Sequence, residues 1–369
     1  MTNSIGVVGV IGAGAMGTGI AQVALEAGWD VRLHDADPSA AERGRDRVRT
    51  GLRRRAEKRD LGPAWAASRA AALTLTDTAA AAAAGADLVI EAIVEDLGAK
   101  RALFATLDAA AGPGTILATN TSALSVAAIA EAARRHPGRV LGLHFFNPAP
   151  VMLLVEVVPA PTTDPLVVAT ATAVVEAWGK TPVRSADRPG FIVNRVNRPF
   201  TIEALRMLEA GEARVAEIDA AIRADGFRMG PFELMDLVGL DVNLAAATAV
   251  WEGLGRPDRL RPSPIQAWLV DHGRLGRKTE RGFYQYGREH DPAPDPLPHH
   301  VVPPVRVGRI LSPDRIVQRI RTAIAQEAIA ARDEDVATEP DIDTALWLGA
   351  AHPEGPFAWR RRHDPTIAP

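Results

Sequence analysis

The chain has no cysteine. That excludes disulfides, a cysteine nucleophile and thiolate metal sites, and it fits a reducing compartment. No apolar run is long enough to span a bilayer. The start, Met1-Thr2-Asn3-Ser4, lacks the basic opening of a signal peptide. A cytoplasmic protein without membrane contact is therefore expected. Neither charge sign is in excess: 42 Lys and Arg stand against 45 Asp and Glu, a formal net charge of −3. Nothing global favours nucleic acid or an anionic membrane as partner. What remains is a 369-residue chain, 47% hydrophobic and 24% charged, with room for two or three domains around a real core.

Residues 5–11 are apolar and β-rich, and Gly12-Ala13-Gly14-Ala15-Met16-Gly17 follows, opening a helical stretch to Gly28. Further strands are expected at 30–34, 87–93, 115–119, 139–145 and 151–158, with a helix at 165–178. Alanine-rich helical stretches separate most of them. Strands alternating with helices predict a parallel sheet with crossover helices, an α/β domain of the Rossmann type. After Arg188-Pro189-Gly190 the pattern becomes helical, with Ile202, Leu205 and Leu208 at helical spacing. The expected organisation is an α/β domain over 1–188, an all-α domain over 189–286, a linker over 287–306 and a last segment over 307–369. The linker reading rests on Pro292, Pro294, Pro296, Pro298, Pro303 and Pro304, which resist helix and central strand. His290, His299 and His300 lie there without carboxylates at ligand spacing, so no metal is expected.

The last segment partly repeats the helical domain. Glu217-Ile218-Asp219-Ala220-Ala221-Ile222 resembles Pro340-Asp341-Ile342-Asp343-Thr344-Ala345-Leu346, and Gly230-Pro231-Phe232 resembles Gly355-Pro356-Phe357. A single inserted residue reconciles the two offsets. So short a fragment would hardly bury enough surface alone, and it should dock on the rest of the chain.

Gly12, Gly14 and Gly17 fit a dinucleotide fingerprint. Gly12 permits the tight turn, Gly14 lets backbone approach a pyrophosphate, and Gly17 allows close helix–strand packing. The helix start at Ala15 and Met16 offers amides and a partial positive charge to phosphate. Asp35 follows the second strand, where a carboxylate accepts from the ribose hydroxyls and favours NAD over NADP. Asn120-Thr121-Ser122 ends a strand, where ligands bind in such sheets, although Ser122 also reads as a helix N-cap. His144, in Leu143-His144-Phe145-Phe146-Asn147-Pro148, is a candidate proton acceptor. Glu156 sits inside Val151–Val158 of the sequence, an apolar run where a carboxylate is costly unless paired. Strand register, which decides whether the two meet, cannot be read from the sequence. Asn194 on a first helical turn reads by default as polar surface. The basic stretch Arg43, Arg45, Arg47, Arg49, Arg53, Arg54, Arg55, Lys58 and Arg59 is either a solvated face paired with Glu42, Asp46, Glu57 and Asp60, or a surface for a polyanionic small molecule.

Taken together, these segments resemble the L-3-hydroxyacyl-CoA dehydrogenase family, its 3-hydroxybutyryl-CoA members especially. The matching stretches run from Gly12–Gly17 through Glu91-Ala92-Ile93-Val94-Glu95, Asn120-Thr121-Ser122, Leu143–Pro148 and Leu154–Val158 to Pro189–Arg195 and Met229–Leu234, covering roughly residues 5–286. The resemblance implies NAD as cofactor and a short-chain (S)-3-hydroxyacyl-CoA as substrate, oxidised reversibly to the 3-oxoacyl-CoA. It implies His144 as general base, Glu156 as its orienting partner, and Ser122 and Asn194 as polar groups around the reacting oxygen. It places Glu95, Lys100 and Asn120 with the fingerprint residues at the cofactor, and Lys58 at coenzyme A.

Departures from the family pattern lie at a loop near Pro137, one residue longer than in many relatives, at Gly51, where some relatives have serine, and at Glu280, where glycine is usual. Gln318 stands where the repeat would place Asn194, so the second copy is not expected to form a site. In this family the helical domain commonly makes the homodimer contact. The resemblance therefore implies either a homodimer or a monomer whose tail caps the first copy as an internal pseudo-dimer. Two other readings keep the fold: a dehydrogenase of a sugar acid, gulonate- or lambda-crystallin-like, and a non-catalytic NAD-binding protein.

Overall fold

The computed structural model describes residues 6–287, 292–305 and 310–363. Residues 1–5, His290 and the ends of the expected last segment lie outside the described residues. The chain divides into two compact units between Phe191 and Ile192.

The first unit is an eight-stranded sheet flanked by helices. In chain order it runs β1 (Val7–Ile11), α1 (Ala15–Glu26), β2 (Asp30–His34), α2 (Pro38–Arg59), α3 (Pro63–Ala71), β3 (Leu73–Leu75), α4 (Ala79–Ala83), β4 (Leu88–Glu91), α5 (Leu97–Ala110), β5 (Ile116–Thr119), α6 (Val126–Ala130), β6 (Val140–Phe145), β7 (Leu154–Pro159), α7 (Pro165–Ala177) and β8 (Thr181–Arg184). The strand order is β3-β2-β1-β4-β5-β6-β7-β8. The first six strands pair in parallel, as helical crossovers demand. β7 instead runs antiparallel to β6, because the connection between them is too short to hold a crossover helix. β3 and β8 were not foreseen. Both are short sheet edges, and Pro182 in β8 suits an edge position.

Alternation within the strands builds two core layers. Val8, Val10, Ile90 and Leu143 face one set of helices with Ile20, Leu25 and Leu52. Ile11, Val89, Leu117 and Val158 face the other with Phe104 and Ile129. Trp29 and Trp178 meet edge to face, ring centres 5.4 Å apart, at the border of the first layer. Asp37 starts the long α2 by accepting from Ser39 N, and Asp60 in the left-handed conformation ends it.

The second unit is helical: α8 (Val193–Val196), α9 (Arg198–Glu209), α10 (Val215–Ala224), α11 (Pro231–Val238), α12 (Leu240–Gly253), α13 (Pro264–Asp271), α14 (Pro313–Asp333), α15 (Glu339–Gly349) and α16 (Pro356–His363). Two two-residue strands, β9 (Tyr284–Gln285) and β10 (Ala293–Pro294), pair antiparallel. The proline-rich stretch is thus tied down at its start. Asp295 is buried and takes donors from Arg274 and Arg281.

One local device occurs twice in this unit. Asp219 on α10 accepts from Phe232 N and Glu233 N, capping α11. Asp343 on α15 accepts from Phe357 N and Ala358 N, capping α16. A Cβ on Gly230 or on Gly355 would fall within 2.3 Å of the respective aspartate. Glycine is what lets each carboxylate reach its helix end. Burial raises both carboxyl pKa values, that of Asp219 to about 7. No single helix among the described residues is long and apolar enough to cross a membrane.

Candidate active site

The β1–α1 turn has the shape a dinucleotide needs. Gly12 is at φ 103°, and a Cβ there would strike Ala92 O at 2.4 Å. A Cβ on Gly17 would overlap Gly12 O, so α1 packs against the turn only because Gly17 is bare. Gly14 has nothing within 4 Å of its would-be Cβ, and Gly14 and Ala15 are exposed. Gly14 offers α1 no side-chain cap, so the helix start is left to bind an anion. Asp35 accepts from Ala13 N at 2.7 Å, and Arg47 donates to Ala13 O at 2.5 Å. The loop is therefore braced from two sides.

β4 and β5 end in a polar network. Glu91, fully buried, accepts from Lys100 Nζ at 2.6 Å, Thr119 Oγ1 at 2.7 Å and Ile93 N at 2.7 Å. Lys100 is itself buried and also reaches Glu95 Oε2 at 3.1 Å. Glu95 Oε1 accepts from Thr121 Oγ1 at 2.6 Å and Ser122 N at 2.8 Å. Partial burial works to raise the Glu95 pKa, but the Lys100 ammonium and these donors outweigh it and hold the carboxyl below its usual range. The network fixes the Asn120–Ser122 turn. Ser122 is not the helix cap: Ser125 caps α6, accepting from Ala128 N, and Asp187 accepts from Ser125 Oγ, Val126 N and Ala127 N.

Asn120 Oδ1 accepts from Phe145 N at 2.8 Å, tying the end of β5 to the residue after His144. The β6–β7 register places His144 directly across from Glu156. His144 Nδ1 lies 2.6 Å from Glu156 Oε2, with the ring 6% and the glutamate 0% exposed. A carboxylate only accepts, so Nδ1–H donates and Nε2 is left as the basic nitrogen. Phe146 and Phe191 flank the ring, centres 4.5 and 5.9 Å away. The loop between the two strands is clamped from below. Lys180 Nζ donates to Ala149 O at 2.6 Å and Met152 O at 2.8 Å, and Arg55 donates to Pro150 O at 2.9 Å. Burial lowers the Lys180 pKa to about 8.

The first unit thus brings together His144, Glu156, Asn120, Ser122, Glu95 and Lys100 at neighbouring strand ends. Asn194 is on α8 of the second unit. Lys58 is exposed in the last turn of α2. The basic stretch splits the two sequence readings. Arg45 pairs with Glu42, Arg49 with Asp46 and Arg55 with Glu26, as a solvated face would. Arg53, Arg54, Lys58 and Arg59 find no carboxylate among the described residues. Glu91, Thr119 and Lys180 were missed. Glu91 carried the same signal as Glu156, a carboxylate ending the apolar run Leu88-Val89-Ile90.

The departures are local. Gly51 backs onto Gln22, whose Oε1 would sit 2.0 Å from an added Cβ. Glu280 adopts φ 57°, the left-handed conformation that glycine favours, and so bears on a turn. Among the described residues no cluster of three His, Asp or Glu is placed to hold a metal.

A sheet whose first six strands are parallel, with this glycine turn after its first strand, defines a dinucleotide-binding fold of the oxidoreductase kind. Comparison with known proteins narrows the class. Residues 7–188 match the 3-hydroxyacyl-CoA dehydrogenase NAD binding domain, and residues 190–286 match the C-terminal domain of the same enzymes. A 3-hydroxyadipyl-CoA dehydrogenase of Escherichia coli is 37% identical over 434 residues, covering 97% of this chain and 91% of the relative. A probable 3-hydroxybutyryl-CoA dehydrogenase of Bacillus subtilis is 42% identical, covering 75% of this chain and 96% of the relative. The crystal structure of an Escherichia coli 3-hydroxybutyryl-CoA dehydrogenase superposes with a TM-score of 0.87 at 35% identity, covering 98% of this chain and 92% of that one. The chain belongs to the 3-hydroxyacyl-CoA dehydrogenase family and is an NAD-dependent oxidoreductase of that kind.

Proposed function

We propose that the protein oxidises a short-chain (S)-3-hydroxyacyl-CoA to the 3-oxoacyl-CoA, reversibly, with His144 as general acid and base. The observation that carries this reading is the buried 2.6 Å contact between His144 Nδ1 and Glu156 Oε2. Glu156 fixes the tautomer, so Nε2 takes the proton of the 3-hydroxyl. It then stabilises the imidazolium that results. When bound, NAD accepts the hydride that leaves C3. Gly12, Gly14, Ala15, Met16 and Gly17 would hold its pyrophosphate and Asp35 its ribose. Glu95, Lys100 and Asn120 complete that side. Ser122 and Asn194 are assigned to the reacting oxygen by resemblance to the family. In the reverse direction imidazolium returns the proton as the ketone is reduced.

Coenzyme A is assigned to the end of α2. Four cations there have no carboxylate partner among the described residues, Lys58 among them, and a nucleotide carrying several phosphates would supply counter-charge. The relatives' names point to a four-carbon and to a six-carbon dicarboxylic acyl group. The test is NADH oxidation with acetoacetyl-CoA and 3-oxoadipyl-CoA, run beside NAD reduction with free sugar acids. Turnover confined to CoA thioesters supports the reading. Turnover of the free acids alone would replace it with a sugar-acid dehydrogenase.

Residues 307–369 are proposed as a degenerate second copy of the first half of the helical domain, packed as an internal pseudo-dimer. The repeated aspartate caps support this. So does a reciprocal pair of contacts: Arg195 Nε donates to Glu327 Oε1 at 2.8 Å, and Arg319 Nε donates to Glu203 Oε2 at 2.9 Å. Arg195 and Arg319, and likewise Glu203 and Glu327, stand at the same offset as Asn194 and Gln318. Residue i touching j while j's counterpart touches i's is the signature of a two-fold interface.

A further inference from the structure

α8 has only four residues, too few to hold its own conformation. Its shape is set by what packs on it, and most of that comes from the tail: α14 and α15 lie against it. Arg195, on α8, is 0% exposed. Glu327 of α14, 1% exposed, accepts from its Nε. Glu334, just past α14, takes NH1 and NH2 in a two-bonded fork at 2.8 and 2.9 Å. Burial works against the Arg195 charge, and the two glutamates outweigh it. At the other end of α8, Asn197 Oδ1 accepts from His352 Nε2 at 2.8 Å, and His352 is buried beyond α15. Burial, reinforced by Arg321, pushes the His352 pKa down to about 3, so the ring is neutral and donates. Asn194 directly precedes Arg195 on this turn, and its carbonyl accepts from Arg198 Nε at 2.9 Å.

We propose that Glu327 and Glu334, with His352, are positioning residues for the dehydrogenation: the tail sets the orientation of α8 and hence of Asn194. This rests on the reading of Asn194 as a group at the reacting oxygen. The tail supplies in the same chain what the reciprocal pair would ask of a second copy, a glutamate on a buried arginine next to Asn194. A bidentate carboxylate on guanidinium fixes direction as well as charge. A buried arginine stripped of it would swing toward other acceptors and take the helix turn with it. The mirror pair, Arg319 with Glu203 and Glu212, anchors the tail through similar bonds but adjoins Gln318 instead of Asn194.

The mirror pair makes the test. Glu334→Gln is the mild variant, since Glu334 is half exposed and the fold keeps Glu327. Glu327→Gln is the severe one, and Arg319→Met breaks the mirror pair. Each full-length protein is titrated with NADH by fluorescence to count folded sites, then assayed for kcat, KM and Tm. Glu334→Gln should lower kcat per NADH site about tenfold, leave NADH affinity unchanged, and regain part of the rate as Glu334→Asp. Arg319→Met should lower Tm at least as much and keep kcat per site within twofold. Equal losses of kcat per site in Glu334→Gln and Arg319→Met, or none in Glu334→Gln and Glu327→Gln, would overturn the inference. Asn194→Ala is run beside them. If it keeps the wild-type rate, the reading of Asn194 fails. If it loses the rate while both glutamate variants keep theirs, only the tail's role fails.

Discussion

Residues 193–238 and 313–363 share folding parts and differ at the position assigned to the chemistry. Both place an aspartate under a glycine to cap the next helix, and both offer an arginine to a glutamate of the other. Where the first has Asn194 the second has Gln318. What is kept in the tail is what holds helices together, and what differs is the residue assigned to the substrate. On the proposed reading, a segment that has lost its own site still serves the residue assigned to the substrate in the other copy.

Removing one side gives the largest effect. A chain ending after Tyr286 loses α14–α16, uncovers the buried face of α9 and leaves Arg195 without its glutamates. It should dimerise or aggregate in light scattering; an unchanged monomer with full activity would dissolve the comparison. Next comes the position that differs. Asn194→Ala should lower kcat by on the order of tenfold to a hundredfold, as loss of a hydrogen bond made in the transition state does, while Gln318→Ala leaves it unchanged. Steady-state kinetics decides, and equal effects would refute the assignment of chemistry to one copy. The shared lock is then probed by Gly230→Ala and Gly355→Ala. Each forces a Cβ into its aspartate and should cost about 1–3 kcal/mol, read as a lower Tm. A large effect at one site and none at the other would show the locks to be unlike. The last effect appears only in acid. The His352 pKa is about 3 folded and near the ordinary 6.5 unfolded, so the unfolded chain binds the extra proton between these values. Stability should therefore fall as pH drops from about 6.5 toward 3, and His352→Gln should flatten that slope in denaturant titrations at several pH values.

Much of the site was legible because its chemistry is carried by residue type. A glycine turn after an apolar strand, an acid after the next, a histidine and a carboxylate in apolar runs all stand out in sequence. The register joining His144 to Glu156 did not, since it depends on β7 turning back antiparallel through a short clamped loop. The edge strands β3 and β8 were missed because three or four residues give too little periodicity to read. The Glu91–Lys100 network was missed although Glu91 ends an apolar run as visibly as Glu156 interrupts one. The reciprocal Arg–Glu contacts join distant segments, yet the repeat offset contained the signal: it carries Arg195 onto Arg319 and Glu203 onto Glu327.

The most direct test of the central claim is NADH oxidation with acetoacetyl-CoA by the wild type and by His144→Ala. The account predicts turnover with NADH and a loss of about a hundredfold to ten-thousandfold in kcat for the variant, with NADH binding intact. Undiminished turnover in His144→Ala would contradict it, because the buried histidine–glutamate pair would then not be the proton acceptor.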